Sequence, residues 1–183
     1  MAETERRIVD AAVELHTSVG PARTSVAAVA ERAGVQRHTV YAHFPDRLSL
    51  FNACSAHWRE KHPFPVVEEL AAIDDPAERL RRGLDALYAW YEQAEPMLTA
   101  VLRDVDAVPV VAELQAGRYA YLAAVEDGLV AGWGARGKAA KRLRAAIGLA
   151  LDFFAWRTLH ERGLARADAV AVMAAAVRAA AGR

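Results

Sequence analysis

The polar residues that invite a chemical reading lie between Arg32 and Arg47. Arg32, Arg37 and Arg47 stand there against Asp46 alone, with His38 and His43 added. Such a group can hold phosphate and can hydrogen-bond to the edges of bases. Other arrangements offer less. Cys54 and His57 are three apart, the spacing of a nucleophile and its base on one helix, but no third partner is at hand to orient the histidine. His57, Glu60 and His62 carry metal-binding atoms without the paired His-x3-His spacing of a helical metal site, and two prolines lie beside them. Arg136, Lys138, Lys141, Arg142 and Arg144 put five basic residues in nine positions, which reads as a solvated helix start. The expectation is a protein that is not an enzyme and uses no cofactor and no metal.

Composition narrows the classes further. Formal net charge is zero over 183 residues, which excludes a protein that coats nucleic acid indiscriminately. Any phosphate-binding surface must therefore be local. Forty-two alanines against 11 glycines and 7 prolines favour helix and leave little turn chemistry for strands. The longest run without Asp, Glu, Lys or Arg, Leu48 to Trp58, has 11 residues, against the roughly 20 of a membrane span. The single cysteine excludes an internal disulfide. The charged start is no secretory leader, so the expected location is cytoplasmic, with no membrane partner.

The elements that must position the 32–47 cluster follow from periodicity. Ile8, Ala12, Leu15 and Val19 form one helical stripe that Gly20-Pro21 stops. Thr24 is the expected N-cap of a short helix to about Arg32. Ala33-Gly34-Val35 supplies a tight turn, and a very short helix spans about Gln36 to His43. Asp46 caps a fourth helix to about Lys61. Two short helices joined by a three-residue turn make a helix-turn-helix. His62-Pro63-Phe64-Pro65 is the expected domain boundary, because prolines two apart cannot continue a helix. Beyond it, Asp75-Pro76-Ala77-Glu78 opens a helix that Glu95-Pro96 should break, with a shorter helix to about Arg103. One long helix of about 109–131 and another of about 138–162 follow, then a last one opened by Asp168. The expected fold is all-α, without strands.

The string from Gly34 to Leu48 (Gly-Val-Gln-Arg-His-Thr-Val-Tyr-Ala-His-Phe-Pro-Asp-Arg-Leu), with Ile8 to Ala12, Gly20 and Thr24 to Ala30 upstream, resembles the TetR family of bacterial transcriptional repressors. About 50 residues match in order. The family's usual serine at 36 is Gln36, its small residue at 38 is His38, and its lysine at 47 is Arg47. Val35, Val40 and Phe44 are spaced to face inward. Gln36, Arg37, His38 and Thr39 then lie at the helix start, where this motif meets base edges. Tyr41, His43, Arg47 and Thr24 or Ser25 are the expected phosphate contacts.

The resemblance implies two domains. Residues 1–61 would be the DNA-binding domain, with connecting helix 46–61, and 66–183 a helical effector-binding and dimerisation domain. It also implies a homodimer on a palindromic double-stranded DNA operator, released by a small-molecule effector of unknown type. Trp90, Tyr91, Met97, Trp133, Phe153 and Trp156 are candidates to line the effector pocket, or equally to fill a core. Asp152, on an apolar stretch, would orient a polar group of the ligand or pair with an arginine. The rival reading is a DNA-binding dimer without a ligand: a filled core favours it, and a cavity beside the fourth helix favours the effector.

Overall fold

The computed structural model describes residues 3–66 and 68–182, and among them there are helices and no strand. The helices are α1 (Glu3–Ser18), α2 (Val26–Ala33), α3 (Arg37–His43), α4 (Arg47–Lys61), α5 (Pro76–Asp104), α6 (Pro109–Val130), α7 (Gly137–Leu151), α8 (Phe153–Glu161) and α9 (Arg166–Ala181). They form two compact units. One comprises Met1–Pro63 with Gln93–Arg118, the other Phe64–Glu92 with Tyr119–Arg183. The division thus falls within the Pro-rich segment, and the second half of α5 with the first half of α6 joins the N-terminal unit.

In the first unit the apolar stripe of α1, through Ile8, Val9 and Ala12, is buried against Val29, Ala30 and Ala33 of α2 and Leu50 and Cys54 of α4. Val40 and Phe44 anchor α3 in the same core. A smaller cluster joins Phe51 of α4 to Val108 and Val111 at the start of α6. In the second unit α7 packs on α9 and α8. Leu80, Leu84, Tyr88, Leu143, Ile147, Trp156 and Val177 are among its buried side chains. Arg79 is buried there and satisfied, donating to the carbonyls of Ile73, Asp74, Gly128 and Ala131.

Local signals behave as their chemistry dictates at most helix ends. Asp46 caps α4, its carboxylate accepting the Ser49 N–H at 2.7 Å while the Ser49 hydroxyl receives the Asp46 N–H. Asp75 likewise accepts the N–H groups of Ala77 and Glu78 at the start of α5.

Four expectations are corrected, the first at the last helix: α9 begins at Arg166 with Ala165 as its N-cap, and Asp168 lies within its first turn. The N-cap of α2 is Ser25, whose hydroxyl accepts the Ala28 N–H at 3.1 Å; Thr24 instead donates to the Gly20 carbonyl. The helix expected to end at Glu95-Pro96 runs unbroken to Asp104 with Pro96 inside it. An interior proline removes one helical hydrogen bond, and burial of Tyr91, Ala94, Met97 and Leu98 on either side carries the helix through. Finally, the helix expected over 138–162 is two, because Asp152 adopts an extended conformation and caps α8 through the Ala155 N–H. The break strands carbonyls, and tyrosines from α5 take them: Tyr88 donates to Ala150 O and Tyr91 to Leu151 O.

Candidate nucleic-acid interface

The turn between α2 and α3 is built on Gly34, whose φ of +64° is left-handed. The N–H groups of Gly34 and Val35 return to the carbonyls of Glu31 and Ala30. Arg7 of α1 ties the turn from outside, donating to the carbonyls of Ala33 and Gly34. This fixes the direction in which α3 leaves α2.

On α3 burial is one-sided. Val40 is 1% exposed and Phe44 6%, whereas Arg37, His38, Tyr41 and His43 face solvent and Tyr41 is 43% exposed. Thr39 is half-buried, and Gln36 is the exposed N-cap residue with no side-chain cap bond, as expected of a glutamine in a serine's place. A helix of seven residues, pinned by two apolar side chains and exposed elsewhere, has the dimensions and surface to enter a major groove. Arg37 and Tyr41 are one turn apart and coupled. The guanidinium lies 5.6 Å above the phenol ring and Nη2 donates to the hydroxyl at 3.3 Å.

The flanking candidates are exposed as well, except that Thr24 is half-buried. Arg47 opens α4, its guanidinium 5.8 Å over the ring of Phe51. Behind that ring His16 is stacked at 4.5 Å. Burial, reinforced by the charge of Arg47, lowers the His16 pKa to about 4, so this imidazole is neutral at pH 7.

Neither alternative chemistry near α4 assembles. Cys54 is buried and desolvation pushes its thiol up to about 12, the reverse of an activated nucleophile. His57 pairs with Asp10 at 2.8 Å and His62 stacks on Trp58. Among the described residues no three metal-binding side chains converge.

Four of the effector candidates, Trp90, Tyr91, Phe153 and Trp156, come together in the second unit. Tyr91, Phe153 and Trp156 lie with ring centroids 5.3 to 5.5 Å apart, and Trp90 packs on Tyr91. Trp133 is buried, its indole N–H donating to Leu129 O. Asp152 is exposed at the α8 cap. Met97 belongs to the first unit, where it lines a cleft of about 210 Å³. The remaining walls are Val13 and Thr17 of α1, His57, Trp58, Lys61 and His62 of α4, and Gln93 and Pro96 of α5. Of this lining the sequence singles out only Met97 as a pocket residue, because the other walls come from three separate helices with no shared local spacing. Sequence reasoning missed Arg7, Arg103 and Asp104, which grip backbone at long range; no local spacing marks them.

This geometry has counterparts among known proteins. The pattern of the bacterial regulatory proteins of the tetR family matches residues 8–54. An HTH-type transcriptional regulator of Mycobacterium tuberculosis (strain CDC 1551 / Oshkosh) is 31% identical over 100 residues, 49% of this chain and 50% of that protein. SrpR, an HTH-type transcriptional regulator of Pseudomonas putida, is 38% identical over 64 residues, 35% of this chain and 29% of its own. A TetR-like transcriptional regulator from Rhodococcus sp. RHA1 superposes with a TM-score of 0.68 at 21% identity, covering 100% of this chain and 98% of its own. The tetR-family pattern thus spans the segment from α1 into α4, and the structural likeness extends the same fold to the rest of the chain. Its matches span half or less of the length of these two curated relatives.

Proposed function

We propose that this protein is a sequence-specific DNA-binding transcriptional regulator whose α3 reads the major groove. The observation that carries this reading is the one-sided burial of α3, with Val40 and Phe44 inward and Arg37, His38, Tyr41 and His43 in solvent. Arg37 and Gln36 have the donor and acceptor geometry for guanine and adenine edges. His38 and Thr39 extend the reading face, and Thr24, Ser25, Tyr41, His43 and Arg47 would hold phosphates. In this reading residues 1–61 bind DNA and 66–183 serve effector binding and dimerisation. A two-fold dimer would carry two copies of α3 roughly one DNA turn, about 34 Å, apart, so the operator is palindromic. The protein would act in the cytoplasm, as a repressor with no enzymatic activity.

Release by a small-molecule effector follows if a ligand prefers the state with misplaced reading helices. The cleft beside α4 favours this over constitutive binding. Selection of bound sequences from random duplex DNA tests the reading. We expect a two-fold symmetric site, and recovery of only unrelated sequences would refute sequence-specific binding.

A further inference from the structure

The last turn of α5 grips the chain just ahead of α2. Asp104 is a buried carboxylate, 6% exposed, whose Oδ2 accepts the backbone N–H of Ala22 at 2.9 Å. Arg103 holds both of its oxygens, Nε to Oδ1 at 2.8 Å and Nη2 to Oδ2 at 3.2 Å. The same Nη2 donates to the Val19 carbonyl at 3.0 Å. Two adjacent side chains thus fasten both ends of the segment 19–22.

Gly20 lies inside this grip with φ +93°, and a Cβ there would collide with the Arg103 guanidinium and the Asp104 carboxylate. From Gly20 the hydrogen bonds run onward. The Thr24 hydroxyl donates to Gly20 O at 2.9 Å, the Thr24 N–H to Pro21 O, and Ser25 then caps α2. Ala22, Thr24 and Ser25 are thus each held by a hydrogen bond of their own, the backbone joining one to the next.

Asp104 is buried while Arg103 is half-exposed, and between them they hold an N–H and a carbonyl of the segment 19–22 in place. Here the fixed backbone carries Thr24 and Ser25. We propose that Arg103 and Asp104 are positioning residues for DNA binding, holding the start of α2 at the height where Thr24 and Ser25 meet a phosphate. The assignment rests on the DNA-binding reading above. It extends the DNA-reading apparatus beyond the helix-turn-helix to a turn of helix some eighty residues later in the chain.

The test compares wild type, Asp104→Asn and Arg103→Met on the selected duplex and on an unrelated one, with phosphate-ethylation interference and thermal melting. Arg103 is half-exposed, so its replacement leaves the core intact even where Asp104→Asn does not fold. Loss of a held charge-assisted contact predicts affinity reduced on the order of tenfold for both duplexes. Base preference should stay as in wild type, and the loss of affinity should exceed what the fraction unfolded at the assay temperature accounts for. Ethylation of the phosphate facing α2 should cease to matter in the variants, while phosphates facing α3 and α4 remain sensitive. Unchanged affinity and interference in Arg103→Met overturn the assignment, as does a loss fully accounted for by the fraction unfolded at the assay temperature. A wild type that binds no duplex at all overturns the DNA reading itself, and this assignment with it.

Discussion

Arg37 and Tyr41 face the same solvent but need not do the same work. The phenol ring supports the guanidinium, so replacing Tyr41 by alanine would disturb Arg37 as well. Tyr41→Phe keeps the ring and removes only the hydroxyl. It should weaken binding to every duplex alike, measured by fluorescence anisotropy; a loss confined to the selected sequence would refute a phosphate role. Arg37→Ala should instead relax preference at one base position per half-site, worth roughly 1–3 kcal/mol, and an unaltered selected site would count against base contact. His16 makes a prediction about stability. Its folded pKa, about 4, lies below the ordinary value of 6.5, so the unfolded chain binds more protons between those values. Its contribution is complete above about pH 6.5 and disappears as pH falls toward 4, amounting to about 3 kcal/mol. His16→Phe preserves the stack on Phe51 without the titration. Urea denaturation from pH 7 to 4 should therefore show a smaller acid loss in the variant, and parallel losses would contradict this.

At the scale of elements, the helices of the DNA-reading region were legible because their signals are local. Gly34 supplies the left-handed residue, Asp46 the cap, and Val40 and Phe44 the inward spacing, each within a few residues of its effect. Reading failed where distant contacts decide. The break at Asp152 depends on Tyr88 and Tyr91, about sixty residues away, offering hydroxyls to the stranded carbonyls. Whether the aromatic residues enclose a space or close on one another is likewise decided by packing, which periodicity does not encode. The uninterrupted α5 makes a prediction of its own. Pro96 withholds one backbone donor inside a helix that continues regardless. Pro96→Ala should raise stability by about 1–3 kcal/mol, read from the denaturant midpoint. An unchanged or lowered midpoint would mean that the proline ring's packing in the cleft outweighs the missing hydrogen bond.

For the whole molecule the question is how two reading helices are presented together. In the second unit Leu149 of α7 is 58% exposed and Phe154 of α8 51%, large apolar side chains left to solvent by a single chain. The proposed dimer would cover them. Phe154→Asp should then yield a monomer by light scattering and weaken operator binding, since each half-site would be held alone; an unaltered mass would remove this face from the interface. In the proposed function an exposed α3 meets duplex DNA. The most direct measurement of this contact is the binding isotherm of wild-type protein on duplex fragments at low ionic strength, repeated with Gln36, Arg37 and His38 all changed to alanine. We predict binding by the wild type, tightest on the selected palindrome, and loss of that preference in the triple variant. No binding to any duplex, or an identical preference in the variant, would contradict the account.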